Sequence, residues 1–414
     1  MALVTQPPIL IDPTGFARQD NSTGPHFLFI RGSNAYAVLE NQDTGAMEVQ
    51  KSTDEGQTWV NQDSANAPAS FSELLTYDDV GNDKIGLCYT IFVGPTPKYV
   101  YQEFDTSTDA YGAVSAQFSL GGSPWQKELL WKKLDGTPVV VIYQGGAGHS
   151  ATLLSAGVWS APALIYTASA AGALGTGFRD SAGTYHAWLT PTPGTNLYHV
   201  GIDNTLTPSA ETLIYSAATL IPTVGRLLSD GANIRGLALV EDAPAVFKAL
   251  AFVGTPLAAP VFTTYVVDTS SAGEAYTWPD SELDKDGNWV VFWALTSSTQ
   301  DQEMMATFGG STFGVPVVFY DAVANPPPNV DTIGNFIHTV DAHQFSDGTW
   351  LMLTAMETLD LGGACTGFAL STAGGGIPLT LDCPAVSTAQ VGVFYDQFLG
   401  VSGGTPPYFF EVIP

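Results

Sequence analysis

The sequence predicts an all-β fold, a seven-bladed β-propeller of four-stranded antiparallel blades over residues 1–382. Three observations predict it. Apolar spacing at i, i+3 and i+4 behind a helix cap is nearly missing, and short apolar runs bounded by Gly, Pro, Asp and Asn dominate instead. A turn followed by an apolar strand recurs seven times. A second signature, a short strand with tyrosine running into small residues, closes the later units.

The recurring turns begin with Gly32-Ser33-Asn34 before AYAVLE, Gly81-Asn82-Asp83 before KIGLCYTI and Asp135-Gly136 before TPVVVIYQ. Ala182-Gly183 before TYHAWLT and Asp230-Gly231 before ANIRGLALV follow, then Asp286-Gly287 before NWVVFWAL and Asp347-Gly348 before TWLMLTAM. Successive copies lie about 50 residues apart, a propeller-type period. The closing signature reads ALIYTASA up to Ala170, TLIYSAAT up to Thr219, TTYVVDTS up to Ser270 and VVFYDAVA up to Ala324. Each unit therefore holds one strand before the turn, one after it, a third, and an outer strand carrying Tyr. The strand after the turn is often apolar on both faces of its alternation, as expected for a blade packed between two neighbours. Tandem sandwiches would need about 100 residues each.

Ile9-Leu10-Ile11-Asp12 resembles an outer strand with no first three strands before it. Placed on the last blade, it closes the ring and covers an exposed edge. Leu379-Thr380-Leu381 competes for the same place.

Composition sets limits on partners. The 414 residues include 13 Lys+Arg against 40 Asp+Glu, a formal charge of −27, while 45% are hydrophobic, enough for a core. Such a chain has no cationic footprint for nucleic acid or anionic lipid. No apolar run approaches the roughly 20 residues that span a bilayer, so membrane insertion is not expected. Met1 to Pro13 lacks the basic start of a signal peptide. Cys88, inside IGLCYTI, reads as a small buried hydrophobe, whereas Cys365 and Cys383 could pair in an oxidising environment.

Ser52-Thr53-Asp54-Glu55-Gly56-Gln57-Thr58-Trp59 matches the Asp box, Ser-x-Asp-x-Gly-x-Thr-Trp, and so resembles the hairpin joining the third and fourth strands of blades in sialidase-like (BNR repeat) propellers. A short Asp side chain bonds turn N–H groups, Gly permits positive φ, and Trp packs into the blade. The resemblance covers about one blade, with DTSTDAYG after Phe104 a degenerate echo. It implies a fold, since that family carries the box on the periphery of the blade. Residues 383–414, from Cys383-Pro384 to Ser402-Gly403-Gly404-Thr405-Pro406-Pro407-Tyr408, resemble the opening of Ig-like domains in phage and bacterial surface proteins. They form an incomplete Ig-like segment, because such a domain needs roughly 80–100 residues. The expected completion is a longer parent chain or another subunit.

Resemblance to sialidases implies a test for catalysis: three arginines around the substrate carboxylate, a Tyr–Glu nucleophile and an Asp acid/base. Arginine suits that task through bidentate bonding. The chain has Arg18, Arg31, Arg179, Arg226 and Arg235. Arg31, ending the first strand of its blade, is the candidate ligand contact, and Asn41 stands where the family often has another Arg. The triad is not evident, and no catalytic residue is assigned. No cofactor is expected beyond Ca2+ at Asp284 and Asp286, because Asp284-Lys285-Asp286-Gly287-Asn288 resembles the start of a calcium loop. The same letters are hairpin-turn chemistry, and Leu295 stands where an EF-hand needs Glu. Asp341 and His343 share one strand face with His338 on the other; His26, His149, His186 and His199 are scattered. Trp125, Trp131, Trp159 and Trp278 would stack on sugars if exposed, but blade packing is their ordinary role. No Gly-x-Ser-x-Gly elbow or P-loop is present.

The expected function is that of a non-enzymatic structural or adhesive surface protein, a phage virion component such as a tail fibre or capsid decoration. Its partners would be other subunits of the same particle, and cell-surface glycans. The alternative is a glycan-binding or glycan-cleaving propeller of sialidase type.

Overall fold

Strands that bury both faces need a turn compact enough to leave the sheet edge free, and glycine in the left-handed region supplies it. Gly32, Gly81, Gly136, Gly183, Gly231, Gly287 and Gly348, one in each predicted turn, all have positive φ, between 63° and 98°. The computed structural model describes residues 3–4, 8–11, 15–16, 28–41, 47–68, 71–93, 96–117, 126–143, 149–156, 158–167, 172–191, 194–326, 337–357, 365–372, 380–382 and 400–402. Their strands form a seven-bladed propeller of antiparallel four-stranded blades.

Blade 1 comprises Leu28–Arg31, Asn34–Asn41, Met47–Ser52 and Val60–Gln62. Blade 2 comprises Phe71–Gly81, Lys84–Val93, Thr96–Asp105 and Ala110–Tyr111. In blade 3, Gln126–Lys132, Pro138–Tyr143 and His149–Ser155 are followed by a split outer edge, Val158–Trp159 and Ala163–Tyr166. Gly172–Arg179, Tyr185–Pro191, Asn196–Ile202 and Thr212–Ser216 make blade 4. Blade 5 has a broken inner strand, Leu220–Val224 and Leu228–Ser229, then Ile234–Ala243, Val246–Thr255 and Val261–Thr269. Ala275–Leu283, Trp289–Thr296, Asp301–Thr307 and Val317–Asp321 form blade 6. Ile337–Gln344, Trp350–Glu357 and Cys365–Ser371 are the first three strands of blade 7.

The fourth strand of blade 7 is Ile9–Leu10, with Ile9 opposite Ala369 and Leu10 opposite Phe368. The predicted closure from the N-terminal segment is therefore the one formed. Its competitor pairs elsewhere: Leu381 lies opposite Val401 in a separate hairpin of Thr380–Asp382 and Gly400–Ser402. The segment also does something the sequence did not announce. Leu3 and Val4 donate to Val318 O and Phe319 O at 3.0 and 2.7 Å, adding a parallel rung to the outer strand of blade 6.

Burial follows the ring. Second strands are buried on both faces: Ala35 to Leu39 and Trp289 to Ala294 are at most 3% exposed. Each apolar cluster bridges neighbours. Leu351 and Leu353 of blade 7 join Tyr36 of blade 1 and Phe104 of blade 2, and Phe292 of blade 6 meets Trp350 of blade 7. Blades 2–3, 3–4, 4–5 and 5–6 are joined in the same way. A large side chain buried this way contributes about 1.5–3 kcal/mol. Cys88 is buried as expected, while pairing of Cys365 with Cys383 falls outside the described residues. So does the Ig-like segment apart from 400–402. No helix among the described residues is long and apolar enough to cross a membrane.

The turn Ser52–Trp59 joins the third and fourth strands of blade 1. Asp54 accepts the Thr58 N–H at 2.8 Å and its hydroxyl at 2.6 Å, Ser52 Oγ accepts the Gly56 N–H at 2.8 Å, and Trp59 Nε1 donates to Gly56 O. Gly56 has φ +89°, and a Cβ there would lie 2.4 Å from Leu351 Cδ1, so this turn also docks on blade 7.

Two glycines separate the backbone and docking contributions. Gly287 has φ +78° with open space around it, so Gly287→Ala loses only the left-handed term, about 1–2 kcal/mol. Gly56→Ala adds overpacking against Leu351 and loses about 1–3 kcal/mol more. Urea unfolding of both variants checks this; equal losses would show that the Ser52–Trp59 turn does not press on blade 7.

Candidate functional site: an axial ion cluster and two clefts at blade seams

Inner strands line the axis, and bulges in them decide which side chains reach it. Register slips between Thr277 and Asp280 in blade 6 and between Thr339 and Asp341 in blade 7 place Asp280 and Asp341 inward. In blade 5 the break at Gly225 does the same for Arg226. A Cβ on Gly225 would stand 2.7 Å from Pro279 O, so only glycine allows this approach of blades 5 and 6.

Arg226, 6% exposed, is the hub. Its Nη2 lies 2.7 Å from Glu282 Oε2 and 3.6 Å from Asp341 Oδ1, and it donates to Ser281 O at 3.2 Å. Asp341 Oδ2 accepts the Leu28 N–H of blade 1 at 3.2 Å. Burial alone would lower the Arg226 pKa, but Asp341, Asp280, Glu282 and Asp78 outweigh it and hold the guanidinium charged. Asp280 goes the other way. Burial raises its pKa to about 8, Asp341 and Glu282 add to the rise, and Arg226 only partly offsets it. Its Oδ2 is buried without a hydrogen-bond partner, which suits a protonated carboxyl better than a charged one.

A cavity of about 140 Å³ opens on this cluster, lined by Arg31, Asp79, Arg226, Glu282, Asp341 and His343 among others. Two of the five arginines thus share the axis, and both are already held by the protein's own carboxylates. Arg31 Nη1 lies 2.9 Å from Asp79 Oδ2, and its Nε is 3.6 Å from Asp83 Oδ1. Arg179 instead caps Lys132 O and Lys133 O, and Arg235 pairs with Asp230 and covers the Trp289 ring at 5.2 Å. Arg18 is outside the described residues. Tyr101–Glu103 and Tyr166–Glu211 are hydrogen-bonded, both away from this cavity. Asp341 and His343 line it together, as their shared face predicts; the His338 side chain is outside the described residues.

The remaining candidates have local roles. Asp284 Oδ1 accepts the Asp286 and Asn288 N–H groups at 3.0 and 2.7 Å, and Asp286 pairs with Lys285 at 2.8 Å, so both carboxylates are engaged in their turn. Among the described residues no group of three or more His, Cys, Asp or Glu is arranged to hold a metal ion. Trp131 stacks on Tyr185 at 4.5 Å and Trp159 meets Tyr101 edge-on, both in packing positions. Trp278 is half-buried at φ +51°, and Trp125 lies outside the described residues.

Two larger clefts sit at the seams between blades, off the axis. One, of about 470 Å³, lies between blades 2 and 3 beside the turn that follows Asp105. The other, of about 420 Å³, lies between blades 4 and 5 beside the turn that follows Asp203. His186 and His199 border the second. Asp180 Oδ2 is 3.2 Å from His186 Nε2, and His186 Nδ1 is 3.0 Å from His199 Nε2. Burial lowers both pKa values, with Asp180 opposing the shift at His186; His199 is pushed to about 3 by burial and then by His186. The Asp180 contact is therefore a hydrogen bond to a neutral ring at neutral pH. His186 Nε2–H donates to the Asp180 carboxylate, which leaves Nδ1 to accept from His199 Nε2–H. Nothing in the sequence marks this pair, since the two rings meet only through hairpin register.

Asp280 makes stability depend on pH with a definite sign. A carboxyl whose pKa rises from near 4 unfolded to about 8 folded contributes fully below pH 4. That contribution is lost as pH rises toward 8. Thermal melts from pH 5 to 9 should show a wild-type Tm falling relative to Asp280→Asn, which stays neutral throughout. Parallel curves would mean that Asp280 is ionised in the fold.

No family model matches the chain, and no curated protein matches it. Several solved structures are similar in fold. Hydrazine synthase from Kuenenia stuttgartiensis is 10% identical with a TM-score of 0.47, covering 85% of this chain and 97% of that one. The polysaccharide lyase Uly1 is 10% identical at 0.44, covering 89% and 99%. A protein of unknown function from Dyadobacter fermentans DSM 18053 is 10% identical at 0.44, covering 73% and 94%.

Proposed function

We propose that the chain is a non-enzymatic structural or adhesive surface protein, in the first place a phage virion component such as a tail fibre or capsid decoration. The observation that carries this reading is the state of the axial arginines. Arg31 and Arg226 each pair with a carboxylate of the protein itself, Arg31 through Nη1 and Arg226 through Nη2. The cavity they share, at about 140 Å³, falls below the roughly 300–1,000 Å³ of ligand pockets. Charge at the axis thus joins blades instead of awaiting an anionic substrate.

Two resemblances support the surface role. The bonds within Ser52–Trp59, from Thr58 to Asp54 and from Trp59 to Gly56, support reading this hairpin as an Asp box. The resemblance of residues 383–414 to the opening of Ig-like domains in phage and bacterial surface proteins supports partners that are other subunits of one particle, in a virion or extracellular assembly.

Electron microscopy of native particles labelled with an antibody against the propeller should place the label on the particle. Incubated with a fluorogenic sialoside, the protein should release no fluorophore above the blank. Turnover that Arg226→Gln abolishes without unfolding the protein would replace this reading by the glycan-cleaving one.

A further inference from the structure

The clefts at the seams of blades 2–3 and 4–5 are built alike. In each, an aspartate stands at the end of the third strand or directly after it, and its Oδ1 is held by the following turn: Ser107 bonds Asp105, and Thr205 and Thr207 bond Asp203. A serine beyond the turn then folds back. Ser115 Oγ accepts the Tyr101 N–H and donates to Ala116 O; Ser209 Oγ accepts the Gly201 N–H and donates to Ala210 O. The neighbouring blade supplies an apolar side, the single Leu154 in the first cleft and the connection from Leu257 to Pro260 in the second. One device thus appears twice, with two cavities of nearly equal size.

We propose that each of these two clefts binds one neutral saccharide unit. This deepens the adhesive side of the reading above and rests on it. Three features select the ligand class. First, both volumes fall within the roughly 300–1,000 Å³ of small-molecule pockets, unlike the axial cavity. Second, the polar rim sets the Asp105 and Asp203 carboxylates as acceptors beside threonine hydroxyls as donors, Thr108 in the first cleft and Thr184 and Thr212 in the second, the pairing that a vicinal diol uses. Turn bonds from Ser107 hold the Asp105 carboxyl below its usual range, and those from Thr205 and Thr207 outweigh burial at Asp203. Both therefore stay acceptors at any physiological pH. Third, apolar side chains line each cleft together with that rim, as the C–H face of a pyranose requires. An anionic ligand is disfavoured. The second cleft is lined by no Lys or Arg among the described residues, and Lys84 in the first already sits 3.1 Å from Glu103 Oε2.

Two equivalent sites on one rigid ring have a consequence for polymers. A repetitive glycan that engages both gains an effective-concentration factor of roughly 10²–10⁴ over a single unit. Weak single-unit binding would then suffice for attachment.

The test uses the full chain with methyl glycosides of glucose, galactose, mannose and N-acetylglucosamine, read by saturation-transfer NMR and calorimetry. At least one glycoside should bind with two sites per chain. Val114→Trp, 52% exposed at the mouth of the first cleft, should leave one site, as should Ala258→Trp at the second; the double variant should leave none. Where a tryptophan lowers Tm, Val114→Phe and Ala258→Leu take its place. Failure of every glycoside to bind, or a stoichiometry that these substitutions leave unchanged, would overturn the proposal. Particle labelling reads the surface-protein reading separately, so the two can fail independently.

Discussion

A blade with two apolar faces has no stable existence at the end of a row. Asn34–Asn41 and Trp289–Thr296 can be dry on both sides only because another blade covers each side. The structure therefore depends on closure, and closure is one short pairing of Ile9–Leu10 with Cys365–Ser371. Gly15–Phe16 reinforces it by pairing with strands of both blade 7 and blade 1. Removing this seam would open a continuous ring of apolar clusters at a single place and expose both flanking faces.

The axis repeats the theme in charge. Arg226 comes from blade 5, Asp280 and Glu282 from blade 6, Asp341 from blade 7 and Asp78 from blade 2. One buried cation among four acids is costly unless the geometry is good and a proton relieves the excess. Asp280 is where that proton belongs. An acidic chain of this kind is not simply solvated outside; part of its excess is drawn into the centre, where it fixes how blades 5, 6 and 7 meet.

The fold was legible because its signals are local. Each predicted turn has a glycine at positive φ, and a backbone requirement of one residue shows in one letter. Asp54 announces its own hairpin for the same reason. The leftover strand Ile9–Leu10 was legible by subtraction, since a ring of four-stranded blades lacked one strand. The axial cluster was not. Asp280 lies in TWPDSEL, where nothing repeats, and it faces the axis because a bulge turns it there. The clefts were equally hidden, because each is half made by the next blade. Asp284 and Asp286 show how one set of letters serves two readings: residues that resemble a cation loop also make the hydrogen bonds of a turn.

The strap that carries Leu3, Val4, Ile9 and Leu10 also sets an order of events during synthesis. These residues leave the ribosome well before their partners in blades 6 and 7, which follow roughly 310–360 residues later, a separation that makes the contact slow to form. Until then blade 7 has no outer strand and blade 1 has one naked face. An interval when the chain is open to wrong partners is thus built into its topology, because the strand that closes the ring is made long before the blades it closes.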